Sequence, residues 1–265
     1  MLSEVKGLVI RTVDYKETDR LVTIFTEQKG VVVAMARGAR SLKSRKLSST
    51  MQFCYGNFIL YNQGDKCYIK EAELIDSFFE IRSSIEGLAL ATYICEVLSF
   101  VTIEESEPDL LRLSLNSLYA ISTGKYSIEK IKAVFEIRCC AILGFMPDVT
   151  SCYKCEERHG DFFLDVMGGT IECYKCHSEA EKRREERPSP HEAHVVCILS
   201  ETAKDAMCYA VYAPLNKIYS FNIGDDDMRL LSRACEEYLI NQIDHEFKTL
   251  GFYKEVTRGV GGIKK

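Results

Sequence analysis

Residues 53–75 read FCYGNFILYNQGDKCYIKEAELI, two runs of alternating aromatic, aliphatic and polar residues around Asn62-Gln63-Gly64-Asp65. Turn formers between two such runs mark a β-hairpin. Outward from this hairpin, shorter apolar runs occupy Lys6–Val13, Leu21–Phe25 and Val31–Met35, the last after the turn-like Gln28-Lys29-Gly30. None shows a helical period, so the pattern predicts five strands within residues 1–80. Five strands rich in β-branched and aromatic residues fit a five-stranded OB-type β-barrel, and by count alone an SH3-like barrel as well.

The pattern changes near residue 83. Ser83-Ser84-Ile85-Glu86 has the form of a capping box, and Leu88, Ala91, Ile94, Cys95, Leu98 and Val101 follow at helical spacing. A second helix is expected from about Pro108 to just before Gly124, and a third from about Ser127 to Leu143, ended by Gly144. Two more should follow Ser200 and the cluster Asp225-Asp226-Asp227, acidic residues suiting a helix amino terminus. In the last of these, Leu230, Leu231, Ala234, Tyr238, Leu239 and Ile243 form a stripe that should face a core. The expected class is therefore α+β and multidomain. An OB-fold domain (1–80) precedes a helical domain in two parts (81–147 and 196–257), with a zinc-binding insertion and linker (148–195) between them and a flexible tail (258–265). The charged stretch Glu179–Glu192, with two prolines, reads as a solvated helix end and linker.

The insertion carries the most specific motif. Cys152-Tyr153-Lys154-Cys155 and Cys173-Tyr174-Lys175-Cys176 are identical tetrapeptides, separated by a spacing typical of zinc sites. Two residues between cysteines let one tight turn present both thiolates to one metal. The residues between the pairs, Phe162–Val166 and Thr170-Ile171 around Gly168-Gly169, can form a hairpin that returns the chain to it. Four thiolates in a tetrahedron favour one structural Zn2+ and leave no position for a catalytic water. His159 and His177 lie near enough in sequence to be spare ligands. The other eight cysteines sit singly among apolar residues, as buried hydrophobes do.

A second feature is the segment Arg37-Gly38-Ala39-Arg40-Ser41-Leu42-Lys43-Ser44-Arg45-Lys46, with five basic residues and no acidic one. Cations on such a loop can contact successive phosphates. Arg11, Lys16 and Arg20 on or beside earlier strands could extend the surface. The first 80 residues carry a net charge of +2 and the remainder −7, so positive potential concentrates on the barrel. Tyr15, Phe53, Tyr55, Phe58, Tyr61 and Tyr68 lie in the same region, where aromatic rings mostly fill a core but can also stack on bases.

Composition limits the function classes. A hydrophobic fraction of 46% over 265 residues supports a sizeable core, and a net charge of −5 excludes a uniformly basic coat protein. No secretory signal or long apolar run is evident, so the protein is expected in the cytoplasm with its cysteines reduced. There is no G-x-x-x-x-G-K-[ST] phosphate loop, and His191-Glu192-Ala193-His194 is not the H-E-x-x-H helix of zinc proteases. A non-enzymatic protein is expected.

The residues Gly7-Leu8-Val9-Ile10-Arg11, Tyr15-Lys16-Glu17-Thr18-Asp19-Arg20-Leu21, Thr26 to Gly30, Arg37-Gly38-Ala39-Arg40 with Lys43-Ser44-Arg45, the paired cysteine motifs, and Lys248-Thr249-Leu250-Gly251-Phe252 occur in that order. In this order the chain resembles the RecO family of bacterial recombination mediators over nearly its whole length. The resemblance implies an amino-terminal OB-fold, a helical body and a zinc-binding insertion that some members lack. It also implies binding of single- and double-stranded DNA, strand annealing, association with the nucleoid and partnership with RecR. The pair would help RecA replace single-strand-binding protein on gapped DNA. Two other classes remain open on residues alone: an RNA-associated OB and zinc-ribbon protein, and a zinc-dependent hydrolase with an open metal position.

Overall fold

The computed structural model describes residues 2–101, 107–186 and 195–260. Its contacts divide the chain into two compact units, one running to Lys125 and resuming at Phe247, the other from Tyr126 to Glu246.

The first unit opens with strands β1 (Leu2–Tyr15), β2 (Asp19–Thr26), β3 (Gly30–Ala36), β4 (Tyr55–Gln63) and β5 (Lys66–Asp76). They close in the order β1-β2-β3-β5-β4, antiparallel except where β3 meets β5 at Met35 and Tyr68. This is the Greek-key order of an OB barrel, in agreement with the hairpin and strand pattern of the sequence. Each strand alternates between the interior and the outside. Val5, Val9, Val22, Ile24, Ala34, Ala36, Phe58, Leu60 and Ile69 fill the interior. Small residues on β3 and large ones on β4 share that limited volume.

Around the barrel, helix α1 (Ile85–Val101) is buried on nearly every side, and α2 (Pro108–Thr123) and α7 (Lys248–Val260) pack against it. The cap of α1 sits one residue later than the sequence suggests. Ser84 Oγ accepts from the Gly87 amide at 3.1 Å and donates to Glu86, whereas Ser83 donates back to the Glu80 carbonyl. Helix α7 is not announced by local sequence, because Gly251 interrupts it and glycines follow. It is held by tertiary contacts: Leu250 and Tyr253 are buried, and Glu96 of α1 accepts from the Lys248 and Thr249 amides at its amino terminus. A carboxylate there also suits the helix dipole.

The second unit contains α3 (Ile128–Ile142), strands β6 (Phe162–Asp165) and β7 (Thr170–Cys173), and helix α4 (Tyr174–Glu186). Strand β8 (Val196–Leu199) and helices α5 (Glu201–Tyr212) and α6 (Asp225–Ile243) complete it. Ser127 and Ser200 cap α3 and α5 through the Lys130 and Ala203 amides. The strands form a sheet in the order β7-β6-β8. Strand β8 is not expected from sequence, and of α4 only a solvated helix end is. Four residues make too short a run for β8 to be read, and α4 has no apolar stripe, so its charges read as linker. On α6, Leu231, Ala234, Tyr238 and Leu239 are buried as the stripe requires, with Leu230 and Ile243 half-buried at its edges. Among the described residues, no helix is long and apolar enough to cross a membrane.

Helices α3 and α6 carry a buried charge group between them. Lys132, 2% exposed, lies 2.9 Å from Glu136 and 2.8 Å from Glu236. Burial alone would drive the ammonium towards the neutral form, but the two carboxylates outweigh it and hold its pKa above the ordinary lysine value. Removing one member of such a group strands the other charges in a low-dielectric interior, at a cost of about 3–5 kcal/mol. Lys132→Ala is therefore expected to lower the unfolding free energy by about that amount, read from the urea midpoint at unchanged m value. Replacing Lys132, Glu136 and Glu236 together by apolar residues of similar volume should recover most of the loss.

Candidate metal centre and nucleic-acid interface

The two cysteine pairs approach each other in the second unit because β6 and β7 form a tight hairpin. Phe162 pairs with Cys173 and Asp165 with Thr170. Asp165 Oδ1 accepts from the Met167 and Gly168 amides, and Gly169 turns at φ 65°. A Cβ on Gly169 would come within 2.8 Å of the Tyr238 hydroxyl, so only glycine fits. The first pair lies on a knuckle in which the Glu156 amide donates to the Cys152 carbonyl and the Cys152 amide to the Glu157 carbonyl, both at 2.8 Å. Glu156 takes a positive φ of 63° to close it. The Tyr153 amide donates to Ile171 of β7 and ties that knuckle to the hairpin. Cys173 ends β7, and Cys176 sits in the first turn of α4.

The result is four sulfurs all within 4.8 Å of one another, a group that could hold a metal ion. The local backbone is suited to thiolates. Burial raises the Cys152 thiol, but the amides of Cys173, Lys154 and Cys155 directed at it outweigh that and bring it down to about 7. Cys176 is pushed upward, chiefly by its contact with Cys155 and then by burial and the other two sulfurs. A divalent cation among four such groups turns their mutual repulsion into attraction.

The two candidate spare ligands are engaged elsewhere. The His159 ring lies 2.9 Å from Glu201, and His177 stacks on Phe163 with centroids 3.9 Å apart. Lys204 of α5 braces the centre from behind, donating to the Arg158 carbonyl at 2.9 Å with its ammonium over the Phe162 ring. His191 to His194 lie outside the described residues.

On the barrel, the sequence-predicted cations fall into four places. Four gather around the β1–β2 turn. Arg40 donates to the Lys16 and Glu17 carbonyls at 3.0 and 3.1 Å and approaches Asp14, which also pairs with Arg20. Asp19 accepts from the Gly38 amide at 2.8 Å and so fixes where Arg37 leaves β3. Lys16, Arg20, Arg37 and Arg40 thus share one end of the barrel. Arg20 is half-buried, also donating to Thr50, and is the most structural of the four.

Arg45 and Lys46 lie elsewhere, in a groove of about 440 Å³ lined by β4 and β5, where Glu4, Glu71 and Glu73 also stand. Lys46 donates to the Ile69 carbonyl, and burial lowers its pKa. Arg11 borders a cleft of about 450 Å³ shared with α1 and α7, where Glu96 also stands. Lys43 is exposed on the loop itself, beside Leu42 at 93% exposure. Of the six aromatics singled out in sequence, Phe53 and Phe58 are buried, Tyr55, Tyr61 and Tyr68 are half-buried and Tyr15 is exposed. Valine, alanine and isoleucine already fill the small interior, which displaces the tyrosines outward.

Comparison with known proteins bears on both features. The family model "Recombination protein O N terminal" matches residues 1–78, and "Recombination protein O C terminal" matches residues 82–251. A DNA repair protein RecO of Acetivibrio thermocellus is 31% identical over 95% of this chain and 96% of its own. One from Clostridium novyi is 34% identical over 90% and 85%, and one from Listeria monocytogenes 27% identical over 100% and 98%.

The geometry of the cysteine cluster yields a direct test. Cys152→Ser and Cys176→Ser should each abolish retention of a stoichiometric divalent metal and lower the melting temperature, since the knuckle, the hairpin and the start of α4 converge on the four sulfurs. Elemental analysis of protein purified under reducing conditions, together with a thermal melt, checks this. Cys67→Ser, on the barrel, should leave the metal content unchanged.

Proposed function

The chain belongs to the RecO family of DNA repair proteins, and from that membership we propose a non-enzymatic recombination mediator that binds DNA through its barrel. The observation that carries this reading is an OB-type barrel whose β3–β4 connection presents cations without acids and is pinned by Arg40 and Asp19 to the β1–β2 turn. Pinning matters physically. Cations held in place lose less conformational entropy on meeting phosphates than cations on a mobile arm, so more of the counterion-release energy appears as affinity.

In this proposal the protein binds single- and double-stranded DNA, anneals complementary strands, and acts with RecR so that RecA replaces single-strand-binding protein. The chain carries no phosphate-loop motif, so displacement must draw on binding energy alone. The metal is zinc in this reading, one per chain, because a set of four thiolates favours it over oxygen-seeking cations. Its role is structural. Zinc contributes about 10–16 kcal/mol to folding in small model fingers, ample to hold an insertion with so small a sheet. X-ray absorption on purified protein should report four sulfur neighbours at about 2.3 Å.

The expected DNA behaviour follows from which cations are free to act. Arg37→Ala with Lys43→Ala should weaken binding to all DNA sequences about equally and reduce the salt slope by roughly 0.7–0.9 for each phosphate left without its cation. Arg40→Ala should also lower the melting temperature, because its guanidinium ties the loop to the Lys16 and Glu17 carbonyls. Filter binding across a salt series, alongside thermal melts, separates the two effects. Mediator function itself is checked by annealing complementary strands coated with single-strand-binding protein, with and without RecR. Failure to anneal in both cases overturns the mediator reading, and tighter binding to RNA than to DNA of the same sequence replaces it with an RNA-binding one.

A further inference from the structure

Cations recognise phosphate, and phosphate is common to every nucleic acid. The barrel carries a second kind of surface beside its basic loop. Strand pairing sets Val13 opposite Leu21, Leu21 opposite Met35, Met35 opposite Tyr68, Tyr68 opposite Tyr61, and Tyr61 opposite Leu2. Six apolar or aromatic side chains thus form one row that crosses all five strands and returns to β1. None of the six is buried, and Leu2 and Val13 are 56% and 45% exposed. A row of this kind is not needed by the core, which the alternate residues of the same strands already fill.

In the middle of the row the geometry becomes specific. Tyr61 and Tyr68 stack with ring centroids 5.3 Å apart and planes 21° from parallel. The guanidinium of Arg37 lies over the Tyr68 ring, 4.1 Å from its centroid. Tyr68 is therefore in contact with both a ring and a flat cation, and Arg37 is the first residue of the acid-free loop. We propose that Tyr61, Tyr68 and Arg37 form a stacking column for the unpaired bases of a single strand, whose phosphates lie along the loop. This rests on the DNA-binding role proposed above and assigns it a preference for unpaired strands. Bases within a duplex have both faces covered by their neighbours, so only a single strand can offer a face to the column. An apolar polypeptide could also cover the row. The adjoining positive loop and the flat stacked surfaces match nucleobases joined by phosphates better, because they supply both halves of that chemistry within one side chain's reach.

The chain has no tryptophan, which makes a reporter simple to introduce. The full-length protein is titrated with oligothymidylate and with an abasic deoxyribose-phosphate strand of equal length. These share every phosphate and differ only in bases. The wild type should bind oligothymidylate about 5- to 150-fold more tightly, the range that stacking of one base supplies. Tyr61→Ala and Tyr68→Ala should each shrink that ratio while leaving the salt slope and duplex affinity unchanged, and Tyr68→Phe should retain it. Should the alanine variants fail to fold, Tyr68→Trp serves in their place, its emission quenched by oligothymidylate and not by the abasic strand. Equal wild-type affinity for the two strands overturns the stacking column while leaving DNA binding intact. So does a Tyr68→Trp signal that responds to an acidic peptide and not to oligothymidylate. Absence of binding to either strand or to duplex overturns the DNA-binding role as well.

Discussion

Closure of the barrel is the constraint on which the first unit depends. β3 reaches β5 through the parallel pairing of Met35 with Tyr68, and that one junction turns a meander plus a hairpin into a closed surface. Closure removes the free edges that would otherwise invite pairing with another chain. It also decides everything outside the barrel. Because side chains alternate, joining β3 to β5 at this register puts Val13, Leu21, Met35, Tyr68 and Tyr61 on the same side of the wall. It then delivers Arg37, two residues beyond Met35, onto the Tyr68 ring. A slip of one residue would turn Ile69 outward and send the larger Tyr68 into an interior shared with Phe58 and Leu60.

The second unit depends on a different balance. Its sheet has only three strands of four residues each, too little to stand on apolar burial alone. Three polar devices add to it: the sulfur cluster, the Lys204 brace behind Phe162, and the buried Lys132 between Glu136 and Glu236. Each is costly if half made, which disfavours arrangements that separate its members. Cys152 differs from the cysteines left as hydrophobes on the same physics. Cys95, Cys139, Cys140 and Cys235 are buried with thiols pushed well up, so they stay protonated, while Cys152 is brought down by amides directed at its sulfur.

Sequence alone shows what is written in local chemistry. The five strands are readable because β-branched alternation and Gly30 and Gly64 turns act over a few residues. The four-cysteine cluster is readable because each of its two pairs keeps the same C-x₂-C spacing. What is not readable is set by distant partners. Helix α7 carries an interior glycine and takes its cap from Glu96, about 150 positions earlier in the chain. Helix α4 has no apolar face and starts directly where β7 ends at the cysteines. The fate of the basic residues is equally nonlocal. Arg37, Arg40, Arg45 and Lys46 look alike in sequence, yet one lies on a tyrosine, one ties a turn, and two enter a groove that also holds three glutamates. Charge counting locates the patch, and only the fold shows which of its members remain free.

That distinction bears on what a protein of this design can do. A surface built only of phosphate contacts binds every polyanion and loses its grip steeply as salt rises, since each contact it makes releases a counterion. A surface built only of exposed apolar side chains invites self-association. The barrel sets the two side by side, with Arg37 belonging to both. Its charge is spread over a flat group that can lie on a ring or turn to a phosphate, which a lysine ammonium cannot do as well. In the proposed binding mode, modest electrostatic and stacking terms would together give reversible binding that still depends on whether bases are unpaired. If the chain acts as the mediator proposed above, reversibility is as necessary as affinity, because a strand held too tightly could not be passed on.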